Sequence, residues 1–198
     1  MIKSERTGKR VNKITSVINT RQKSLRVVLE NIHDPHNVSA IFRTCDAVGV
    51  NNVCLVYYIE KFPKIGKKSS ASAFKWVERI KYKSVAECYN KLREEGFLIY
   101  ASALSENSKR LYELDLTKKI AIVFGNEHRG ISEDAVKLAD EKFAIPMYGM
   151  VQSLNVSVAA AVVLYEALRQ RLRKGMYDSS EYSKEELEMK IKEWTINK

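Results

Sequence analysis

Asn37 and Arg43 lie in the segment NIHDPHNVSAIFRTCDAVG, residues 31–49, where a strand hands over to a helix, and together they could take part in a reaction. The apolar residues of this segment recur at helical spacing, and Arg43 lies off the apolar face, six residues after Asn37. Helical side chains lean toward the amino terminus, so the spacing lets the guanidinium reach back over Asn37, whose amide would orient a permanent cation. The alternative is a surface arginine on a helix that the asparagine caps.

A second polar interruption is FGNEHRGIS, residues 124–132, directly after a predicted strand. Gly125 and Gly130 permit the tight backbone of a ligand-binding turn. The segment is not a phosphate-binding P-loop, because no Gly-Lys-Ser/Thr follows. A plain strand-to-helix turn needs neither Glu127 nor Arg129, and the spacing leaves both interpretations open.

The third segment is IPMYGMVQSLNVSVAAA, residues 145–161, which carries no charge. Pro146 ends a strand, Gly149 bends the loop, and Ser153 and Asn155 open a long helix. Such a loop offers backbone N–H and C=O groups to a flat heterocycle such as the adenine of a nucleoside cofactor. A purely structural loop of this composition remains the alternative.

The elements that carry these segments alternate between short apolar strands and amphipathic helices. The predicted strands lie within 25–30, 53–58, 97–102, 120–125 and 142–146, and the predicted helices near 36–48, 84–95 and 132–139. This alternation predicts an α/β fold with a mainly parallel sheet and helices on both faces. Ligands of such sheets bind beyond the carboxyl ends of the strands, where all three segments lie.

The long helix, from about Asn155 to Lys174, is apolar on all sides and ends at Gly175. One sheet covers only one side of a helix, so we expect a second subunit to cover the other in a two-fold homodimer.

Helices also flank the central region. Val11, Ile14, Val17 and Ile18 predict a basic amphipathic helix, and Ser183-x-x-Glu186 is a capping box ahead of Leu187, Ile191 and Trp194. We therefore divide the chain into a basic arm (1–24), a central domain (25–175) and a helical extension (176–198).

Composition sets the broad class of protein. The 198 residues suffice for one domain of ordinary size, and the formal net charge of +10 favours a polyanionic partner, nucleic acid or an anionic membrane surface. Residues 1–26 carry eight basic side chains against Glu5, and residues 60–83 carry eight against Glu60 and Glu78. These segments suit contact with phosphates, although a solvated face is the ordinary use of a charge run.

Several classes of protein are not expected. The longest uncharged stretch, 143–165, contains Pro146 and several polar residues, so a membrane-spanning helix is rejected. No apolar segment follows the basic N-terminus, which predicts a cytoplasmic protein without a secretory signal. No metal site is expected, because His33 and His36 lack further ligands at a suitable spacing. The three cysteines are predicted to be buried thiols: Cys45, Cys54 and Cys88.

In this order, the three segments resemble those of the SpoU branch of the trefoil-knotted SPOUT RNA methyltransferases. The resemblance spans about residues 25–177, and ENIHDPHNVSAIFRTCDAVG and IPMYGMVQSLNVSVAAA carry it. It implies a SPOUT fold with a deep C-terminal trefoil knot, which spacing and periodicity do not show. It also implies S-adenosylmethionine (SAM) as cofactor, tRNA as partner, and methylation of a guanosine ribose 2′-hydroxyl, with guanosine 18 of the D-loop as the expected target.

Matched residue by residue, the resemblance implies catalytic roles for Asn37, Arg43, Glu127, Ser153 and Asn155. It implies that SAM contacts Ala103, Leu104, Gly125, Ile145, Met147, Ser153 and Leu154. The residues expected to contact RNA are Lys9, Arg10, Lys13 and Arg129. Because arginine keeps its proton, we hypothesise that Arg43 stabilises the developing alkoxide as a cation, oriented by Asn37.

Two other functions stay open. The first is a ribosomal RNA ribose methyltransferase of the same branch; such relatives often carry an N-terminal RNA-binding domain, whereas only about 24 residues precede the first strand here. The second is a catalytically silent RNA-binding protein, against which the joint presence of the five implied catalytic residues argues.

Overall fold

The computed structural model describes residues 2–65, 73–105 and 107–197. The strands are β1 (Gln22–Glu30), β2 (Val50–Val56), β3 (Glu78–Tyr82), β4 (Leu98–Ser102), β5 (Lys109–Arg110), β6 (Ile120–Phe124) and β7 (Glu141–Ala144). The helices are α1 (Ile2–Asn19), α2 (Pro35–Ala47), α3 (Ala73–Trp76), α4 (Val85–Glu94), α5 (Glu133–Leu138), α6 (Val156–Arg173) and α7 (Lys184–Asn197), and Leu111–Glu113 form a 3-10 turn.

Within the described residues, the seven strands form one parallel sheet in the order β3-β2-β1-β6-β4-β7-β5. The predicted parallel α/β architecture is thus confirmed. Sequence patterns missed β3, a partly exposed edge strand, and β5, which has two residues. β1 also begins at Gln22, so the expected boundary after residue 24 falls inside a strand.

Helices cover both faces of the sheet, as the alternation of apolar residues predicts. Along β6, Ile122 and Phe124 join the cluster formed with α2 and α6, whereas Ala121 and Val123 join the cluster formed with α4 and α5. Successive strand residues point to opposite faces, so this continuous apolar run must be covered twice. The three cysteines are buried thiols, as predicted.

The flanking helices pack on each other. Ile14 and Ile18 of α1 form a small buried cluster with Trp194 of α7. Ser183 caps α7 as predicted: its hydroxyl accepts from the Glu186 N–H at 3.2 Å, and its own N–H donates to the Glu186 carboxylate at 2.9 Å. No helix in the described part of the chain is long and apolar enough to cross a membrane.

Candidate active site

The loops that follow β4, β6 and β7 enclose one cavity of about 700 Å³. These strands are neighbours in the sheet and run parallel, so their carboxyl ends open at the same edge. The cavity is lined by every residue expected to contact a cofactor: Ala103, Leu104, Gly125, Ile145, Met147, Ser153 and Leu154. The tertiary structure therefore brings together three loops, after β4, β6 and β7, that are well separated along the chain.

Gly125 occupies a position that admits no side chain. A Cβ atom there would lie 2.3 Å from the carbonyl carbon and oxygen of Gly130. The turn between them closes on itself, because Asn126 and Gly130 exchange backbone hydrogen bonds of 2.9 and 2.8 Å. Gly130 adopts a φ of 69°, which glycine tolerates best. The two glycines thus permit the tight turn that the sequence indicates.

Three of the implied catalytic residues form a hydrogen-bonded chain. The side-chain amide of Asn37 donates to Glu127 Oε1 at 2.9 Å, and the amide of Asn155 donates to Asn37 Oδ1 at 3.1 Å. Asn155 also caps α6, accepting from the Ser157 N–H at 2.8 Å. These hydrogen bonds join the segments after β1, β6 and β7 at the rim of the cavity.

Glu127 is also bound to the backbone of the loop after β1. Its carboxylate accepts from the N–H groups of His33 and Asp34 at 3.0 and 3.1 Å. Partial burial opposes the charged form, but hydrogen bonds from Asn37 and from these two N–H groups outweigh it and lower the pKa of the carboxyl below its ordinary 4.5. Glu127 is therefore a carboxylate that holds the start of α2 in place.

Replacing Glu127 with glutamine should lower the free energy of unfolding by about 1 kcal/mol at pH 7, because the new NH₂ group would face backbone or side-chain donors. The lowered pKa places the carboxylate's contribution above pH 4.5, and it is lost as pH falls through the folded-state value. Denaturation of both proteins between pH 7 and pH 3 should show the difference shrinking in acid. Glu133→Gln, at an exposed residue of α5 that pairs with Lys137, is the matched control; a pH-independent difference would contradict this assignment.

Arg43 lies on the exposed side of α2 and does not border the cavity of its own chain. It makes no hydrogen bond or ion pair to the residues that the structure describes. The expected contact with Asn37 is not formed, because six residues of helix turn the side chain about 120° away. The amide of Asn37 is bonded to Glu127 and Asn155 instead.

The basic residues expected to contact RNA lie in two places. Lys9, Arg10 and Lys13 are exposed on α1, which leads into the amino end of β1, at the edge of the sheet opposite the cavity. Arg129 lines the cavity and pairs with Glu60 at 2.6 Å. Of the two basic segments, Lys67 and Lys68 and the side chains of Lys3 and Arg6 lie outside the described residues.

Sequence patterns missed a second hydrogen-bonded link at this edge. The buried amide of Asn126 donates to the carbonyl oxygen of Asn31 at 2.7 Å, and its oxygen accepts from the N–H groups of His128 and Arg129. Asn31 adopts a φ of 50°, a conformation in which asparagine is enriched. An asparagine shortly after each of two strands is the signal that was available.

A parallel sheet whose strands β4, β6 and β7 end in a shared cavity, lined by the residues implied to contact SAM, agrees with the resemblance to SpoU methyltransferases. Residues 24–165 match the model of the SpoU rRNA methylase family, and the chain belongs to that family. The predicted SPOUT-type fold and the resemblance to SpoU methyltransferases are thereby confirmed.

Individual relatives extend the comparison over nearly the whole chain. The chain is 47% identical over 190 residues to the tRNA (guanosine(18)-2′-O)-methyltransferase of Thermus thermophilus, covering 96% of this chain and 97% of the relative. It is similar to the crystal structure of the A. aeolicus TrmH/SpoU tRNA modifying enzyme, with 42% identity, a TM-score of 0.89 and 96% of each chain covered. It is also similar to the SpoU methyltransferase AviRb of Streptomyces viridochromogenes in complex with AdoMet, with 25% identity and a TM-score of 0.66 over 78% of this chain and 62% of that one.

Proposed function

We propose that this chain transfers a methyl group from SAM to the ribose 2′-hydroxyl of guanosine 18 in tRNA. The observation that carries the proposal is the cavity formed by the loops after β4, β6 and β7, to whose rim Asn37 is joined by hydrogen bonds with Glu127 and Asn155. The relatives that cover nearly the whole chain carry this activity in their names.

The residues of the cavity fit SAM. Its volume of about 700 Å³ lies within the range of small-molecule sites. Phe124, Phe143, Ile145 and Leu154 supply an apolar lining, and the loop of residues 145–155 supplies backbone groups for the edge of an adenine. Glu127 and Arg129 both lie in the loop after β6, and most of the remaining lining carries no ionisable group and suits the uncharged parts of the molecule.

The ribose 2′-hydroxyl is a weak nucleophile, so its attack on the methyl group must be assisted. SAM supplies an electrophilic methyl group on sulfur, and the ribose hydroxyl is neutral. Arginine is a permanent cation in proteins, so we assign to Arg43 the stabilisation of the developing alkoxide. The methyl group would leave sulfur as its bond to the ribose oxygen forms, and an RNA phosphate is proposed to share the hydroxyl proton, which solvent finally accepts. Asn37 and Glu127 hold the start of α2 against the cavity rim.

The proposal is tested with purified protein, methyl-labelled SAM and an unmodified tRNA transcript. We expect one methyl group per transcript, mapped to the ribose of guanosine 18 by its resistance to alkaline cleavage. A transcript with 2′-deoxyguanosine at that position is the matched control and should accept none. Methylation of ribosomal RNA but not tRNA would select the second member of the same enzyme class, and absence of SAM binding by calorimetry would select an RNA-binding protein without activity.

We propose that α1 contacts the body of the tRNA. Ile14 and Ile18 bind the helix to Trp194, which leaves Lys9, Arg10 and Lys13 exposed to solvent. One helix therefore both docks on the protein and presents cations to phosphate. We retain the proposed division into a basic arm, a central domain and a C-terminal extension, with the first boundary moved to before Gln22 and with α1 packed on α7.

Replacing Lys9, Arg10 and Lys13 together with glutamine should weaken tRNA binding and reduce its salt dependence. The slope of log K against log salt should fall by about 0.7 to 0.9 for each phosphate that the protein no longer neutralises. Filter binding between 50 and 300 mM salt measures it. Replacement of Lys91 and Lys137, exposed lysines paired with neighbouring acids on α4 and α5, is the control. An unchanged slope would make α1 purely structural.

We also propose a homodimer across α6. The sheet side of this helix is buried through Ala160, Val163 and Leu164, whereas Val158, Tyr165 and Leu172 are exposed. The loop before the helix adds an exposed apolar group: Tyr148, Met150 and Val151. Exposed apolar side chains repeated at seven-residue spacing along one helix indicate an interface, and a two-fold axis lets one patch cover its own copy.

Light scattering should give twice the mass of one chain at micromolar concentration. Tyr165→Glu would place a charge in the proposed interface and should shift the protein toward the monomer. Leu138→Glu, at a partly exposed residue of α5, is the control. A folded monomer at all concentrations would contradict the dimer.

Two further expectations belong to the proposed function. The loops after β4, β6 and β7 form a trefoil knot, and the protein shares a cytoplasmic location with tRNA.

A further inference from the structure

The loop after β2, residues 57–60, lies at the same edge of the sheet as the candidate active site. β2 neighbours β1, and β1 neighbours β6, so this loop stands beside the segments after both of those strands. It is held there by Asn31, whose Oδ1 accepts from the N–H groups of three successive residues: Tyr58 at 3.1 Å, Ile59 at 3.1 Å and Glu60 at 3.2 Å. Asn31 is itself bound to Asn126 of the cavity rim.

Tyr58 is held by its hydroxyl group rather than by burial of its ring. Its hydroxyl donates to Glu30 Oε1 at 2.7 Å, and Glu30 is only 2% exposed, yet Tyr58 itself is 46% exposed. A surface tyrosine ordinarily buries its ring and leaves the hydroxyl in water. Here the polar end is bound and the ring is presented to solvent, beside Ile59, which is 60% exposed. Because backbone and hydroxyl are both fixed, the ring loses little conformational entropy when a ligand packs on it.

Cationic groups connect this surface with the cavity. Arg129 lines the cavity and its guanidinium reaches Glu60, the residue after Ile59. Lys61 and Lys64, which follow the loop along the chain, are exposed. A polyanionic strand that leaves the cavity toward β2 therefore passes Arg129 and then meets Tyr58 and Ile59.

We propose that Tyr58 and Ile59 form a stacking surface for the base of a nucleotide adjacent to the methylated nucleoside. The inference rests on the proposed function, because it takes RNA as the substrate of the same site. Unpaired bases are recognised by stacking on aromatic side chains, with cations holding the neighbouring phosphates. The ring of Tyr58 selects for an unpaired base, since a base inside a continuous helix offers no free face.

The affinity for an unmodified tRNA transcript tests the surface directly. Tyr58→Ala should raise the dissociation constant at least about 5-fold, the smaller effect typical of losing one stacked base, and should raise KM more than it lowers kcat. Tyr58→Phe keeps the ring and should stay within about 2-fold of the parent protein. Tyr112→Ala is the matched control, because Tyr112 is 62% exposed at the opposite end of the strand order and makes no hydrogen bond to the described residues.

Transcripts with a single abasic nucleotide, on the 5′ or on the 3′ side of the target guanosine, identify the stacked base. One of these transcripts should bind the parent protein more weakly than the intact transcript does. The Tyr58→Ala protein should bind that transcript and the intact one with the same affinity. Equal losses for both proteins with both transcripts would overturn the inference, as would a Tyr58→Ala protein with parental affinity. SAM binding of each variant, measured by calorimetry, should be unchanged. Failure of the parent protein to methylate tRNA would instead refute the proposed function.

Discussion

Replacing Arg43 with alanine is expected to slow methyl transfer at least about 100-fold while leaving the affinity for SAM unchanged. The first effect follows from removing a cation beside the developing alkoxide. The second follows because Arg43 does not border the cavity and makes no hydrogen bond to Asn37. Single-turnover transfer to a tRNA transcript and calorimetry with SAM measure the two quantities.

Two controls define the role of this guanidinium. Arg43→Lys retains the charge but loses the planar fork, so it should recover only part of the rate. Arg79→Ala removes another exposed guanidinium, on the edge strand β3, and should leave the rate unchanged. Near-parental turnover of Arg43→Ala would refute the assignment.

Replacing Gly125 with alanine is expected to abolish SAM binding and to lower the free energy of unfolding by about 1 to 3 kcal/mol. The added Cβ would lie 2.3 Å from backbone atoms of Gly130, so the closed turn must open. That turn carries Asn126 and Glu127, and its displacement would move the residues that line the cavity. Calorimetry with SAM and chemical denaturation measure the two losses.

The chain supplies matched glycines for this test. Gly149, in the loop after β7, has open space around a Cβ and no positive φ. Gly149→Ala should therefore leave SAM binding and the free energy of unfolding nearly unchanged. Gly130→Ala also meets open space, but its φ of 69° imposes a backbone cost of about 1 kcal/mol without a collision. SAM binding by Gly125→Ala equal to that of Gly149→Ala would contradict the role given to the turn.

A mixture of the Arg43→Ala and Gly125→Ala chains connects these two variants with the proposed dimer. If Arg43 acts in the cavity of its own chain, no active site in the mixture has both Arg43 and an intact cavity. If it serves the cavity of the partner subunit, mixed dimers regain one complete site. The exposed position of Arg43, away from the cavity of its own chain, favours recovery of activity in the mixture.

The secondary structure around the site could be predicted because its signals are local. The Pro35 turn starts α2, Ser132 caps α5, Asn155 caps α6 and Gly175 ends it, each within a few residues of its partners. The apolar runs of β1, β2, β4 and β6 similarly indicated buried parallel strands. β3 and β5 escaped prediction because edge strands with exposed polar residues carry no such pattern.

Local sequence patterns singled out three candidate segments, the elements that hold them, and the tight glycine turn after β6, whereas the proposed chemical roles came from the family resemblance. The partners of the site residues depend on the folded chain instead. Asn37 bonds Glu127 across 90 residues and Asn155 across 118, and neither bond follows from spacing. The strand order places β6 between β1 and β4, and that order follows from packing of the whole sheet, so the shared cavity and the surface at Tyr58 emerged only in three dimensions.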